Sequence, residues 1–137
     1  MIILDTNVVS EAMKPHCDPS VRVWLGAQVT ETLFLTATSL AELLLGIAPV
    51  GKRRDLLEER LLDVLGLLFA GRVLPYDESA AKAYSQLVSR ARSQGRAISI
   101  ADGQIAAIAS VHGFAVATRD TAPFEAAGIA VINPWNA

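Results

Sequence analysis

The sequence predicts an α/β domain with a parallel five-stranded sheet. Two observations carry that reading. Short apolar runs alternate with stretches of helical periodicity along the whole chain, the pattern of strand–helix–strand units. The first run, Met1 to Leu4, is continuously apolar and not alternating, as a parallel strand buried on both faces requires.

Each element follows from its residues. After the Met1–Leu4 strand, Thr6 to Met13 reads as a short helix stopped by Pro15, and Pro19 to Val29 as a second with proline in its first turn. Leu33 to Ala37 is apolar and β-branched, a second strand. Ser39 to Ala48 is a helix stopped by Pro49. Lys52 to Ala70 is a long amphipathic helix, with Leu57, Leu61, Val64, Leu65 and Leu68 at helical spacing. A third strand, Val73 to Tyr76, leads into a helix from Glu78 to Gln94 that ends at Gly95. Ser99 to His112 is the next helix, closed by Gly113. Phe114 to Thr118 is the fourth strand, a short helix follows Pro123, and Ile129 to Ile132 is the fifth strand.

With 137 residues, 52% apolar and 19% charged, the chain reads as one domain, 1–137, with a substantial core and no disordered character. No apolar run reaches the roughly 18 residues of a membrane span, and the early Asp5 leaves no signal-peptide pattern. Cys17 is the only cysteine, so no internal disulfide and no thiolate metal cage is expected. These features fit a cytoplasmic protein without membrane attachment. The net charge of −2 argues against holding nucleic acid by bulk basic charge. It leaves open contact with phosphates through bound cations.

Four acids are the candidate site. Asp5 ends the first strand, and Asp120 follows the fourth in "ATRD". Glu42 is placed in the first turn of the helix after strand two, Asp102 in the first turn of the helix before strand four. All four therefore belong to one edge of the sheet, the carboxyl edge where ligands of such sheets sit. Asp102 shares a stripe with Ile105, Ala106 and Ala109, so it should lean toward the sheet. Each acid taken singly is equally well a helix cap. Ser39-x-x-Glu42 and Ser99-x-x-Asp102 resemble capping boxes, and Asp5 and Asp120 can both be N-caps. Asp77, which also ends a strand, is read as an ordinary N-cap. If the four converge, repulsion decides: two carboxylates about 5 Å apart at an effective dielectric of about 20 repel by roughly 3 kcal/mol. Protonation or cations must compensate, and hard oxygen ligands suit Mg²⁺ or Mn²⁺.

The segments "MIILDTNVVSE", "SLAELLLGI", "ISIADGQIAAIASVHG" and "ATRDTAPFEAAGIAVINPW" resemble the PIN-domain family, in particular the VapC-type toxins of VapBC toxin–antitoxin pairs in their FitB-like branch. The resemblance runs from Met1 to Trp135. It implies a three-layer α/β/α domain with strand order 3-2-1-4-5, which makes strands one and four neighbours and leaves Asp77 on the far edge. It implies endoribonuclease activity dependent on Mg²⁺ (or Mn²⁺), with Asp5, Glu42, Asp102 and Asp120 as the acidic quartet. Asp5 and Asp102 would be the firmest metal ligands; Glu42 and Asp120 would complete the shell, directly or through water. Thr6, Asn7 and Thr118 match supporting polar positions, which turn and cap bonding would equally explain. The implied partners are an RNA substrate, a VapB-type antitoxin with a DNA-binding half, and a second copy in a homodimer. Many relatives carry a further Asp shortly before the Phe that follows the fourth acid; here Pro123 precedes Phe124.

Other features are weaker. Arg90, Arg92 and Arg96 precede Asp102 and could contact RNA phosphates, although a solvated helix face explains them as well. Lys52, Arg53 and Arg54 carry the same pair of readings. His112 sits where a cation complements a helix dipole; neither it nor His16 has the neighbours of a general base. The Leu56–Leu68 stripe is wide enough for a partner surface. Trp135 reads as an anchor for the tail. Two other functions compete with a nuclease. One is a non-catalytic module whose acidic edge receives a basic antitoxin peptide. The other is a phosphatase of haloacid-dehalogenase type, which "DTN" loosely resembles, but the last lysine is Lys82 on a predicted helix.

Overall fold

A computed structural model describes residues 1–47, 51 and 53–137. Five parallel strands are ordered β3-β2-β1-β4-β5: β1 Ile2–Leu4, β2 Leu33–Thr36, β3 Val73–Leu74, β4 Ala115–Ala117 and β5 Val131–Ile132. The helices are α1 Thr6–Ala12, α2 Pro19–Gly26, α3 Ala37–Ile47, α4 Arg54–Phe69, α5 Glu78–Ser93, α6 Ile100–His112 and α7 Ala122–Ala126. Fold class and strand order are as the sequence and its family resemblance led us to expect.

The unbroken apolar strands are explained by two cores. Successive side chains of a strand point to opposite faces. Ile3, Phe34, Val116 and Val131 face one core with α5, α6 and Phe124 of α7. Ile2, Leu4, Leu33, Leu35 and Ala117 face the other with Val8 and Val9 of α1, Leu43 of α3, and Leu61, Leu65 and Phe69 of α4. With both faces covered, no strand position tolerates a polar residue until the chain leaves the sheet, and there the polar residues begin: Asp5 after β1, Thr36 at the end of β2, Thr118 after β4.

Several boundaries differ from the sequence reading. The second helix stops at Gly26, not Val29, because Gln28 turns back and its Nε2 donates to the Trp24 carbonyl at 3.0 Å; a 3-10 turn, Thr30–Thr32, then enters β2. The third helix starts at Ala37 instead of Ser39. The Thr36 hydroxyl accepts from the Ser39 backbone N–H at 3.0 Å and caps the helix, so β2 passes into α3 without a loop. Its expected end at Ala48 and Pro49, and Lys52, lie outside the described residues. Strands β3 and β5 keep only two residues each.

Helices α5 and α6 form the most extensively packed helix pair. Gly103 makes this approach possible: a Cβ there would stand 2.7 Å from Tyr84 Cε2 and 3.1 Å from Val88 Cγ2. Being next in sequence to Asp102, it also sets where that acid lies. At its far end α6 stops at Gly113, in the left-handed conformation (φ 70°), with Phe114 N–H donating to the Ala109 carbonyl.

Arg72 ties the β2–β3 edge to the helical layer. Its Nε donates to the Leu33 carbonyl at 2.9 Å, and one terminal nitrogen to the Thr30 and Leu68 carbonyls at 2.8 and 2.9 Å. Removing such a charged donor strands acceptors that are partly out of water. Arg72→Ala should lower stability by about 2–3 kcal/mol. Arg72→Lys, lacking the planar fork, should restore only part of it. Denaturant unfolding of the three proteins checks this.

Candidate active site

Asp5 stands where β1 ends, beside the end of β4. Its backbone N–H donates to the Ala117 carbonyl at 2.9 Å, extending the β1–β4 ladder by one bond. Its carboxylate is 5% exposed, and both oxygens are fixed: Oδ1 accepts from the Thr6 N–H at 2.8 Å and Oδ2 from the Thr118 hydroxyl at 2.8 Å. The capping reading is therefore correct for Asp5 as far as it goes, since it opens α1. A cap, however, is ordinarily solvated, and this one is buried without a cation partner among the described residues.

Glu42 arrives from α3. Because that helix starts at Ala37, Glu42 lies in its second turn, not its first, and the Ser39–Glu42 capping box does not exist. Glu42 Oε1 instead accepts from the Thr6 hydroxyl at 2.7 Å, across to α1. Asp102 opens α6; its N–H donates to the Ser99 Oγ at 3.1 Å, which makes Ser99 the cap. The reciprocal bond from Asp102 to the Ser99 backbone is not formed among the described residues, so its carboxylate is left to the site. Asp120 is no cap either: α7 begins after Thr121 with no side-chain cap bond. Its N–H donates to the Thr118 Oγ1 at 3.1 Å, and its carboxylate is exposed.

The acids act on one another. Burial, above all, pushes the Asp5 carboxyl up to about 6, against the hydrogen bonds from Thr118 and Thr6 and with the charges of Asp102 and Glu42 adding to the rise. Asp102 is raised as well, mainly by burial, with Ser99 opposing and the charges of Asp120 and Glu42 contributing. All four carboxylates thus fall within one electrostatic neighbourhood. Among the described residues, no three of them converge on a common point at ligand distance. The donor set still fits a hard divalent ion: Mg²⁺ keeps several of its waters and takes one or two carboxylates directly, and a buried, uncompensated carboxylate is the group that gains most from a cation.

The supporting residues are in place. Thr118, fully buried, sits at the centre of a chain of bonds. The Asn7 Nδ2 donates to its Oγ1 at 3.3 Å while its hydroxyl donates to Asp5, and the Asn7 Oδ1 accepts from the Arg119 N–H at 3.3 Å. A second brace, Thr38 Oγ1 to Gln104 Oε1 at 3.0 Å, joins α3 to α6 near Glu42 and Asp102. Asp5, Glu42 and Asp102 line a cleft of about 370 Å³ together with Lys14, Arg119 and Trp135. Lys14 is held at 3.2 Å by Glu11, whose carboxyl is kept below its usual range by the Asp18 N–H and by Lys14 itself. A larger apolar groove of about 810 Å³, between α1, α3 and α4, shares Thr6, Ser10 and Glu42 with the cleft.

Not every candidate joins. Arg90, Arg92 and Arg96 are exposed around the α5–α6 turn and do not line the cleft. Asp77 caps α5, accepting from the Ala80 N–H at 3.0 Å. Sequence reasoning missed Lys14 and Arg119. Arg119 was legible as the residue between a site threonine and a site acid in "ATRD"; nothing in the sequence brings Lys14 to the cleft.

A family model for the PIN domain matches residues 2–129. The chain is 52% identical to VapC ribonuclease Y4jK of Sinorhizobium fredii, covering 98% of both chains. It is 48% identical to Toxin FitB of Neisseria gonorrhoeae, covering 99% of both. The solved structure of FitAB bound to an IR36 DNA fragment superposes with a TM-score of 0.91 at 47% identity, over 98% of this chain and 96% of that one.

The raised Asp5 carboxyl predicts a pH dependence for the metal-free protein. Below about pH 3.8 the group is protonated in both folded and unfolded chains. Between that and about pH 6 the folded chain holds a proton that the unfolded chain releases, so stability falls as pH rises. The loss is complete above the folded value and amounts to roughly 3 kcal/mol for a shift of about two units. Asp5→Asn should flatten this part of the curve, measured by denaturant melts from pH 4 to 7.5 in EDTA.

Proposed function

The chain belongs to the PIN-domain family, and on that premise we propose that it is a metal-dependent endoribonuclease, the toxin of a toxin–antitoxin pair. The observation that carries the reading is the buried Asp5 carboxylate, without a cationic side-chain partner among the described residues and raised to about 6, beside Glu42 and Asp102. A fold keeps such a group against its own electrostatics where a cation completes it. The VapC ribonuclease and FitB toxin similarities support the same assignment.

Asp5 and Asp102 would hold a Mg²⁺ or Mn²⁺ ion, with Glu42 and Asp120 completing its shell directly or through water. A bound ion of this kind activates water for attack on a phosphodiester and stabilises the leaving oxygen. The chain's own part is positioning. Thr118 and the Thr6 N–H fix both oxygens of Asp5, which lines the cleft. The Thr6 hydroxyl orients Glu42, and Asn7 holds Thr118. Asp120, exposed and without a side-chain hydrogen bond among the described residues, is the acid free to follow an incoming strand.

For partners, we propose a homodimer neutralised by an antitoxin with a DNA-binding half, as the FitAB–DNA similarity suggests. The apolar groove running up to Thr6 and Glu42 suits an antitoxin segment, and a guanidinium from it would pair with the acids. Among the described residues no helix is long and apolar enough to cross a membrane.

Charge-only substitutions test the chemistry. Asn accepts the Thr6 bond about as well as Asp, and the bond of residue 102 to Ser99 uses its backbone N–H, so Asp5→Asn, Glu42→Gln, Asp102→Asn and Asp120→Asn should fold at least as stably as the parent in EDTA. They should lose the melting shift given by Mn²⁺ and lose RNA cleavage, Asp5 and Asp102 most. Asp77→Asn is the control and should keep both. Normal cleavage by all four amide variants would overturn the proposal. A synthetic antitoxin peptide should inhibit the nuclease, and replacing its arginine with glutamine should weaken inhibition by about tenfold or more.

A further inference from the structure

Arg119 is an anomaly at this cleft. It stands among carboxylates, yet among the described residues its guanidinium makes no ion pair and no hydrogen bond. It lies instead over the ring of Trp135, 5.1 Å from the centroid, within cation–π range. Trp135 is itself fixed, packed partly buried against the α1–α4 core, its N–H bonded to Asn133 Oδ1 at 3.0 Å. At the backbone, the Arg119 N–H is held by Asn7 in the bond chain that reaches Asp5. Both ends of the residue are therefore anchored, and neither anchor uses the guanidinium N–H donors. Lys14, the other cation lining the cleft, is already engaged by Glu11.

We propose that Arg119, held off the acids by Trp135, is the residue that receives an RNA phosphate next to the one at the metal site. The ring withdraws the guanidinium from the carboxylates, which would otherwise neutralise it and lose their own charge for the ion. Its five donors, in a planar fork, match a phosphate's oxygens. This resolves how a chain of net charge −2 grips a polyanion: one preoriented cation at the cleft wall in place of a basic surface. Trp135 is a positioning residue, with one face under Arg119 and its remainder in the core.

The inference rests on the nuclease reading, and the test separates the two. A short fluorescein-labelled single-stranded RNA is titrated by anisotropy in the otherwise unaltered chain, with Ca²⁺, another hard oxygen-ligated ion, in place of Mn²⁺ and the integrity of the strand checked on a gel. Cleavage kinetics are measured in the same chain in Mn²⁺. Arg119→Gln should weaken binding about tenfold and reduce the log–log salt slope by about 0.7, the share of one phosphate contact on a single strand. Its cleavage loss should fall on KM, and the Mn²⁺ melting shift should stay. Arg119→Lys should keep the slope while binding more weakly, and Trp135→Leu should do the same, with Trp135→Phe partly restoring affinity. Unchanged binding and slope in Arg119→Gln, with a lowered melting temperature, would make the pair a tail anchor and overturn the inference while cleavage stands. Arg119-dependent binding without cleavage by the parent chain would sustain it and remove the nuclease. Absence of both binding and cleavage would remove both.

Discussion

The pairing of β1 with β4 brings the ends of two strands distant in sequence side by side, and the cleft is built outward from that meeting. Ile2, Ile3 and Leu4 pair with Ala115, Val116 and Ala117, so the next residues, Asp5 and Thr118, leave the sheet together. Their 2.8 Å hydrogen bond is the first contact beyond the ladder. Around it are arranged Thr6 and Glu42 on one side, and Asn7, Arg119 and Asp120 on the other. The two-sided burial of the sheet makes this meeting unavoidable: a shift of register by one residue would exchange the two cores' side chains.

Burial and charge oppose one another at Asp5, and the magnitudes show which wins. Two hydrogen bonds to the carboxylate contribute about 1.5–3 kcal/mol each, and desolvation outweighs them, as the raised carboxyl shows. Desolvation of this carboxylate works against the fold and is offset by the packing of Leu4, Val8 and Val9 in the adjoining core. A site of this kind responds to any cation it meets, whether an ion or a guanidinium. The same physics underlies both the proposed metal binding and the proposed pairing with an antitoxin guanidinium.

Much of this was legible in the sequence, for reasons that also mark its limits. Asp5 and Asp102 were readable because strand apolarity and a helical stripe fix where each points. Glu42 was readable as the lone charge of an apolar helix, but its turn was not: Ser39 looks like a cap, and only the structure shows Thr36 taking that role from the last strand position, leaving the Ser39 hydroxyl buried without a partner. Placing the four acids in one neighbourhood depended on strand order, which periodicity does not encode and the family resemblance supplied. The Arg119–Trp135 contact spans residues whose local patterns say nothing of each other. Trp135 was read as a tail anchor, and its packing bears that out, but its second contact had no local signature.

The direct passage from Thr36 into α3 carries a consequence for how such a chain can vary in length. With no loop between strand and helix, Glu42 is indexed to the sheet residue by residue. One inserted residue at that junction would turn the carboxylate about 100° around the helix axis and advance it by about 1.5 Å, taking it off the cleft altogether. Asp5 is indexed in the same way, since a single residue separates β1 from α1. The stretch between α2 and β2, which enters the sheet at its opposite edge, is where an added or removed residue disturbs neither acid. The carboxyl edge of the sheet behaves as a ruler whose divisions cannot be moved, and change in length is pushed to the opposite side of the molecule and its periphery.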